Sequence, residues 1–167
     1  MFVIRAGEPR DLAALLAIET ACFSTERISA RQMRYFLTRA KARLLVTEDP
    51  GQGSVYGYAL VLLPALPRPA RLYSLAVAPA WRGQGLADQL LARVVELARD
   101  ARYDRLRLEV RAQADELIAW YGWRGFKLLR RLPGYYQEGA DALKMEKLIR
   151  SSNEHPTPAP ELTGVNM

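Results

Sequence analysis

A chain of 167 residues with 50% apolar and 25% charged side chains suits one globular domain and excludes a disordered, fibrous or mucin-like bulk. Cys22 and His155 are single residues of their kinds, which excludes intrachain disulfides, thiolate clusters and histidine-based metal centres, so no metal is expected. The 24 Lys and Arg exceed the 18 Asp and Glu, which favours an anionic partner, yet 20 of them are arginines spread without a dense run, which makes nucleic acid an unfavoured partner.

Phe2 to Arg5 reads as a short strand. Arg5, Glu8, Arg10 and Asp11 stand where a secretory signal would have a basic start and an apolar run, so a cytoplasmic protein is expected. Glu8-Pro9-Arg10-Asp11 opens a helix whose apolar side carries Leu12, Leu15, Leu16, Ile18 and Cys22. Ser29 caps a second helix, in which Met33, Phe36, Leu37 and Ala40 recur at helical spacing. Arg43 to Glu48 and Ser54 to Leu63 read as strands joined in a hairpin by Asp49-Pro50-Gly51-Gln52-Gly53. The longest apolar run, Ala59 to Leu66, is broken by Pro64 and falls short of the ~18 residues of a membrane span, so no membrane partner is expected.

Leu66-Pro67-Arg68-Pro69 makes a stiff loop before Arg71 to Ala78, which is apolar on both faces as a central strand is. Leu86, Leu90, Val94 and Leu97, with Leu91 and Ala98 beside them, mark the strongest helix, ending near Asp100. Arg105 to Arg111 sets Leu106, Leu108 and Val110 against Arg107, Glu109 and Arg111, one side to pack and one to present charge. Strand, long helix and strand in this order predict a parallel, right-handed crossover. Ala114 to Trp123 reads as a shorter helix, and Phe126 to Leu132 and Ala140 to Leu148 as last strands joined across Pro133-Gly134-Tyr135-Tyr136. The fold class is α/β, with a mixed sheet of about seven strands and about four helices in residues 1–150. From Ser151 the chain turns to Ser, Thr and alternating Pro156, Pro158 and Pro160, and 151–167 reads as a flexible tail.

The segment between the central strand and the strongest helix, Ala78-Pro79-Ala80-Trp81-Arg82-Gly83-Gln84-Gly85-Leu86-Ala87, carries the most chemistry. Without side chains at Gly83 and Gly85, the N–H groups of the helix start can lie against phosphate oxygens, aided by the helix dipole. Glycines that serve only the turn are the plainer alternative. A P-loop needs Gly-Lys-Ser/Thr, and a dinucleotide fingerprint needs a third small residue where Asp88 stands, so neither fits.

The spacing Arg82-x-x-Gly85-x-Ala87 resembles instead the Gln/Arg-x-x-Gly-x-Gly/Ala signature of the GNAT superfamily of acyl-CoA-dependent N-acetyltransferases. Leu108-Glu109-Val110-Arg111-Ala112, Ile118-Ala119-x-Tyr121, Gly125-Phe126, and Tyr135-Tyr136 before Ala140-Asp141-Ala142 extend the likeness, through the second half of the chain, to the RimI-type N-terminal protein acetyltransferases. The chain departs from that pattern at Ala114, where an asparagine touching CoA is usual. It departs again in Cys22-Phe23-Ser24-Thr25-Glu26-Arg27, which lacks a Phe-Pro-Trp pattern.

The resemblance implies a GNAT-like sheet whose central parallel strands, Arg71 to Ala78 and Arg105 to Arg111, splay to admit acetyl-CoA. Leu75, Ala76 and Val77 would offer their backbone to the pantetheine arm, and Arg82, Gly83, Gln84, Gly85, Leu86, Ala87 and Asp88 would hold the pyrophosphate. Glu109 would take the proton of the acceptor amine, through water, and Tyr121 would protonate the CoA thiolate. From the residues alone, Glu109 fits equally a solvated carboxylate paired with Arg107 or Arg111, and Tyr121 an aromatic core residue between Trp120 and Trp123. Tyr135 and Tyr136 match a pair that lines the peptide channel of relatives, or are surface tyrosines on a Pro-Gly turn. Cys22, without a histidine partner nearby, is expected to pack on its helix. The implied reaction is direct acetyl transfer from the thioester to an amine. A protein or peptide α-amine comes first, because its reference pKa of ~7.7–8.0 makes deprotonation easier than for lysine at ~10.4. A small-molecule amine acetyltransferase and a non-catalytic acyl-CoA sensor are the alternatives.

Overall fold

The computed structural model describes residues 2–150. The tail expected from Ser151 lies outside the described residues. Along the chain run β1 (Val3–Ala6), α1 (Leu12–Cys22), α2 (Ala30–Thr38), β2 (Ala42–Asp49), β3 (Ser54–Leu62), β4 (Ala70–Val77), α3 (Leu86–Asp100), β5 (Arg105–Arg111), α4 (Asp115–Trp123), β6 (Lys127–Leu132) and β7 (Ala142–Leu148). One 3₁₀ turn, Pro9–Asp11, precedes α1 and another, Pro79–Trp81, follows β4. No helix among the described residues is long and apolar enough to cross a membrane.

Local chemistry accounts for where the helices start. Glu8 and Asp11 form a capping box ahead of α1, and the Asp11 carboxylate is gripped by two nitrogens of Arg5, at 2.8 and 2.9 Å. Ser29 Oγ accepts from Gln32 N at 3.2 Å while Gln32 Oε1 accepts from Ser29 N at 3.0 Å, a second capping box that opens α2.

The seven strands form one sheet in the order β1-β2-β3-β4-β5-β7-β6, with β4 and β5 the parallel pair. α3 and α4 cover one face, where Leu75, Val77, Leu86, Leu90, Val94, Leu106, Leu108 and Trp120 share a core. α1 and α2 cover the other face over β2, β3 and β4, where Leu15, Ile18, Met33, Val46, Tyr58, Leu60 and Ala76 pack. Burial of each large aliphatic side chain stabilises by about 1.5–3 kcal/mol. The apolar stripe of α3 therefore holds its N-terminus firmly at the end of β4. The row Arg105, Arg107, Glu109 and Arg111 of β5 alternates with the buried Leu106, Leu108 and Val110, and so lies on the α1–α2 face, beyond those helices.

The apolar side predicted for α1 contains one residue that apolar periodicity does not reveal. Glu19 is 2% exposed, and its Oε2 accepts from Ile28 N at 2.8 Å while Oε1 accepts from Tyr58 Oη. Tyr58 Oη in turn lies 2.8 Å from Ser74 Oγ on β4. This buried carboxylate is satisfied on both oxygens and ties the segment that leads into α2 to the centre of the sheet.

Candidate active site

β4 and β5 are paired only at Ala70↔Leu106 and Arg71↔Arg107, although the two strands continue to Val77 and Arg111. Beyond the second pair they part. A splay between parallel strands opens a crevice at their carboxyl ends, the usual place for a ligand in such a sheet.

The β3–β4 ladder decides which backbone groups line that crevice. Ala78 N donates to Tyr56 O at 2.7 Å, so Gly57↔Val77 and Ala59↔Leu75 are the non-hydrogen-bonded positions of the antiparallel pair, and Tyr58↔Ala76 exchanges bonds. Leu75 and Val77 turn their N–H and C=O groups toward β5. Ala76, expected among the lining groups, spends its own on β3 and drops out. The Val77 carbonyl is also committed, since it accepts from Arg82 Nε at 3.1 Å and Cys22 Sγ at 3.4 Å.

The loop after β4 delivers the start of α3 to the same end. Gly83 and Gly85 both have φ of 78°, a left-handed conformation that glycine adopts without strain. Gly85 is the N-cap of α3 and offers no side-chain acceptor, and a Cβ placed on it would meet no atom within 4 Å. The backbone there is approachable, and its helix N-terminus suits a pyrophosphate. Gln84 is exposed beside it, and the N–H groups of Leu86, Ala87 and Asp88 belong to the first turn. Two of the expected cradle residues have their side chains occupied elsewhere. Arg82 folds back on Val77 O and on Cys22 Sγ, 3.5 Å away, and so fastens the loop to β4 and α1. Asp88 is held by Arg124, whose Nη2 donates to Oδ2 at 2.8 Å and whose guanidinium lies 3.8 Å from the centroid of the Trp120 ring. Either residue can offer a ligand only its backbone.

On the α1–α2 face, at the vertex of the splay, Glu109 Oε2 accepts from Arg71 Nε at 2.9 Å with the carboxylate side chain 11% exposed. The solvated pairing with Arg107 or Arg111 is not what forms. Arg107 is bound to Glu146, and Arg111 to Glu138 and, at 2.9 Å, to Thr25 Oγ1. Two loops border this vertex: residues 133–141 between β6 and β7, and residues 23–29 between α1 and α2. Gln137 N donates to Glu26 Oε1 at 3.1 Å and so joins one loop to the other. Tyr135 and Tyr136 stand on the first loop with their rings edge to face at 5.1 Å. Tyr135 accepts from Arg71 Nη2 at 2.8 Å, and Tyr136 stacks on Arg111 at 4.1 Å. Burial pushes the Tyr136 phenol up to about 12, against the pull of Arg111.

Tyr121 lies on the opposite face. It is 0% exposed, among Trp120 at 5.0 Å and Phe126 at 5.2 Å, and is part of the α3–α4 core. Burial pushes its phenol well above the ordinary range, only partly opposed by Arg124. The phenol therefore stays protonated in the folded protein. Trp123, thought to flank it, is 62% exposed and faces away from that core. Cys22 is also shifted upward, by burial acting against Arg82, which makes it a poor nucleophile.

Residues 9–149 match the model of the acetyltransferase (GNAT) domain. The chain belongs to this family. The GNAT fold implies an acetyl-CoA donor, and the splay, the Leu75 and Val77 N–H groups turned toward it and the glycine helix start without a side-chain cap fit one. The ribosomal-protein-S18-alanine N-acetyltransferase of Escherichia coli superposes with a TM-score of 0.79 at 26% identity, over 92% of this GNAT chain and 97% of its own. The ribosomal-protein-alanine N-acetyltransferase of Brucella melitensis gives 0.74 at 29% identity, over 87% and 99%. In sequence, an N-alpha-acetyltransferase of Saccharolobus solfataricus is 36% identical over 86 residues, 51% of this chain and 52% of that protein. The chain thus spans about half the length, or less, of the curated relatives it matches.

Sequence reasoning missed Arg71, Arg124 and the Glu19–Tyr58–Ser74 chain. Nothing local marks them. Arg71 meets Glu109 and Tyr135 across separations of 38 and 64 residues, which the register of β4 on β5 and the return of the β6–β7 loop create.

Proposed function

We propose that this protein is an acetyl-CoA-dependent N-acetyltransferase whose preferred acceptor is a protein or peptide N-terminal α-amine. The observation that carries the proposal is the position of Glu109, at the vertex of the β4–β5 splay beyond the edge of α1 and α2, between two loops bridged by Gln137 and Glu26. The acetyl-CoA donor supplies an activated thioester. Leu75 and Val77 offer N–H groups that pair with an extended arm and polarise a carbonyl. Glu109, directly or through water, receives the proton of the attacking amine. Tyr121 donates its hydroxyl hydrogen toward the departing sulfur. An α-amine is favoured because roughly a tenth to a sixth of it is already neutral near pH 7, given its reference pKa of ~7.7–8.0. The names of the bacterial and archaeal relatives, which act on ribosomal-protein alanine or are N-alpha-acetyltransferases, support the same acceptor.

Binding of nucleic acid is disfavoured by how the arginines are used. Arg5, Arg71, Arg107, Arg111, Arg124 and Arg131 are each paired with a carboxylate, which withdraws them from a phosphate backbone. Acetyl transfer to a matched panel of N-terminal peptides, lysine peptides and free small amines tests the reading. The α-amines should be acetylated with the highest kcat/KM. Preference for a small amine overturns the acceptor, and binding of acetyl-CoA with no turnover on any amine turns the assignment toward a sensor.

A further inference from the structure

Arg71 stands at the last point where β4 and β5 still touch. From there one guanidinium reaches three separate pieces of the chain. Its Nε donates to Glu109 Oε2 on β5 at 2.9 Å, its Nη2 to Tyr135 Oη on the β6–β7 loop at 2.8 Å, and its carbon lies 5.4 Å from the ring of Tyr73 on its own strand. Burial works against the Arg71 charge, and Glu109, with Tyr135, more than offsets it. Because the carboxylate is largely withdrawn from water, this is not a rim ion pair of negligible worth.

We propose that Arg71 is a positioning residue that sets Glu109 and the Tyr135–Tyr136 loop in one geometry. The proposal rests on the N-acetyltransferase reading of Glu109. Arg71 confronts Glu109 from β4, Lys144 is its partner across the ladder on β7, and Tyr135 and Tyr136 approach from the loop. Arg107 and Arg111 flank it on β5, each engaged with a glutamate. With Arg71 on Glu109 and Tyr135 at once, the carboxylate and the loop keep a fixed separation.

The test compares wild type, Arg71→Met, Arg71→Lys and Glu109→Gln as full chains. Acetyl-CoA must raise the melting temperature of the Arg71 variants as it does that of the wild type, which shows that fold and donor site are intact. With an N-terminal alanine peptide, Arg71→Met should lower kcat/KM by about tenfold to 10²-fold, mostly in kcat. Amide exchange at Tyr136 and Gln137 should become several-fold faster as the loop loses its anchor. Arg71→Lys should recover part of kcat, because one charged donor remains, and lose the loop protection, because an ammonium cannot reproduce the planar fork. Wild-type loop exchange together with wild-type kcat in Arg71→Met overturns the proposal. Undiminished activity of Glu109→Gln overturns the base assignment instead, and loop exchange then judges Arg71 by itself.

Discussion

At Glu109 and Tyr121 the same expectation, a proton carrier, meets two opposite environments. Glu109 stands on the α1–α2 face beside a cation, with its side chain 11% exposed, while Tyr121 is enclosed in the core with its phenol driven upward by burial. Different responses follow. Glu109→Gln should lower the rate by ~10²–10⁴-fold at neutral pH, and the loss should shrink as pH rises and the amine deprotonates unaided. Tyr121→Phe keeps the ring packing and should cost about 10²-fold in kcat, the scale of one lost donor to developing charge, with no rescue at high pH. Steady-state pH profiles of both variants with an N-terminal peptide check this, and matching profiles would remove the distinction between the two roles. Arg82 and Asp88 carry a related lesson: side chains in a motif can serve the motif by holding its backbone still.

Among the elements, α3 and α4 make separable contributions. The start of α3 combines a left-handed N-cap with open space, so Gly85→Ala should cost ~1–2 kcal/mol of stability through backbone conformation alone. Gly85→Glu places a negative group where a pyrophosphate is proposed, and should abolish the melting shift produced by acetyl-CoA while leaving the protein folded. Binding of acetyl-CoA by that variant at wild-type strength would displace the cradle from this loop. In α4, Gly122 sits in the last turn of the helix with negative φ, and a Cβ there meets nothing within 4 Å. Gly122→Ala should therefore stabilise the protein by ~0.5–1 kcal/mol in denaturant unfolding, because alanine gives up less backbone entropy in a helix.

For the whole molecule, ligand and pH are the informative variables. Acetyl-CoA at 100 times its dissociation constant should add about 2.7 kcal/mol, or roughly 5–11 °C in melting temperature for a domain of this size. A melting scan without that shift would remove the donor assignment. Two carboxylates give stability opposite slopes in pH. Burial raises Glu19 above its ordinary 4.5, so the folded state holds that proton more tightly than the unfolded chain. Its contribution is present below 4.5 and is lost as pH rises through the raised value. Arg5 holds Asp11 below its ordinary 3.8, so its contribution is present above 3.8 and is lost as pH falls toward the lowered value. Measured by denaturant unfolding, wild type should lose stability relative to Glu19→Gln as pH climbs from 4.5 to neutrality. A difference that does not change with pH would mean that Glu19 titrates alike in the folded and unfolded states.

The order of elements, the hairpin, the parallel crossover and the glycine helix start were legible along the chain, because each depends on neighbours: apolar spacing, capping residues and turn chemistry within a few positions. The alternation in β5 was enough to put Glu109 on the charged side of its strand. Its partner was not legible. Arg71 belongs to a segment that reads as plain apolar strand, and only the two-pair register of β4 on β5 brings it to the carboxylate. Likewise Leu75, Ala76 and Val77 are equivalent as sequence, and the ladder with β3 decides that two of them face the crevice while Ala76 does not. Local periodicity determines which side of an element is apolar, and tertiary register determines what each polar group meets. The chemistry of this site depends on the second.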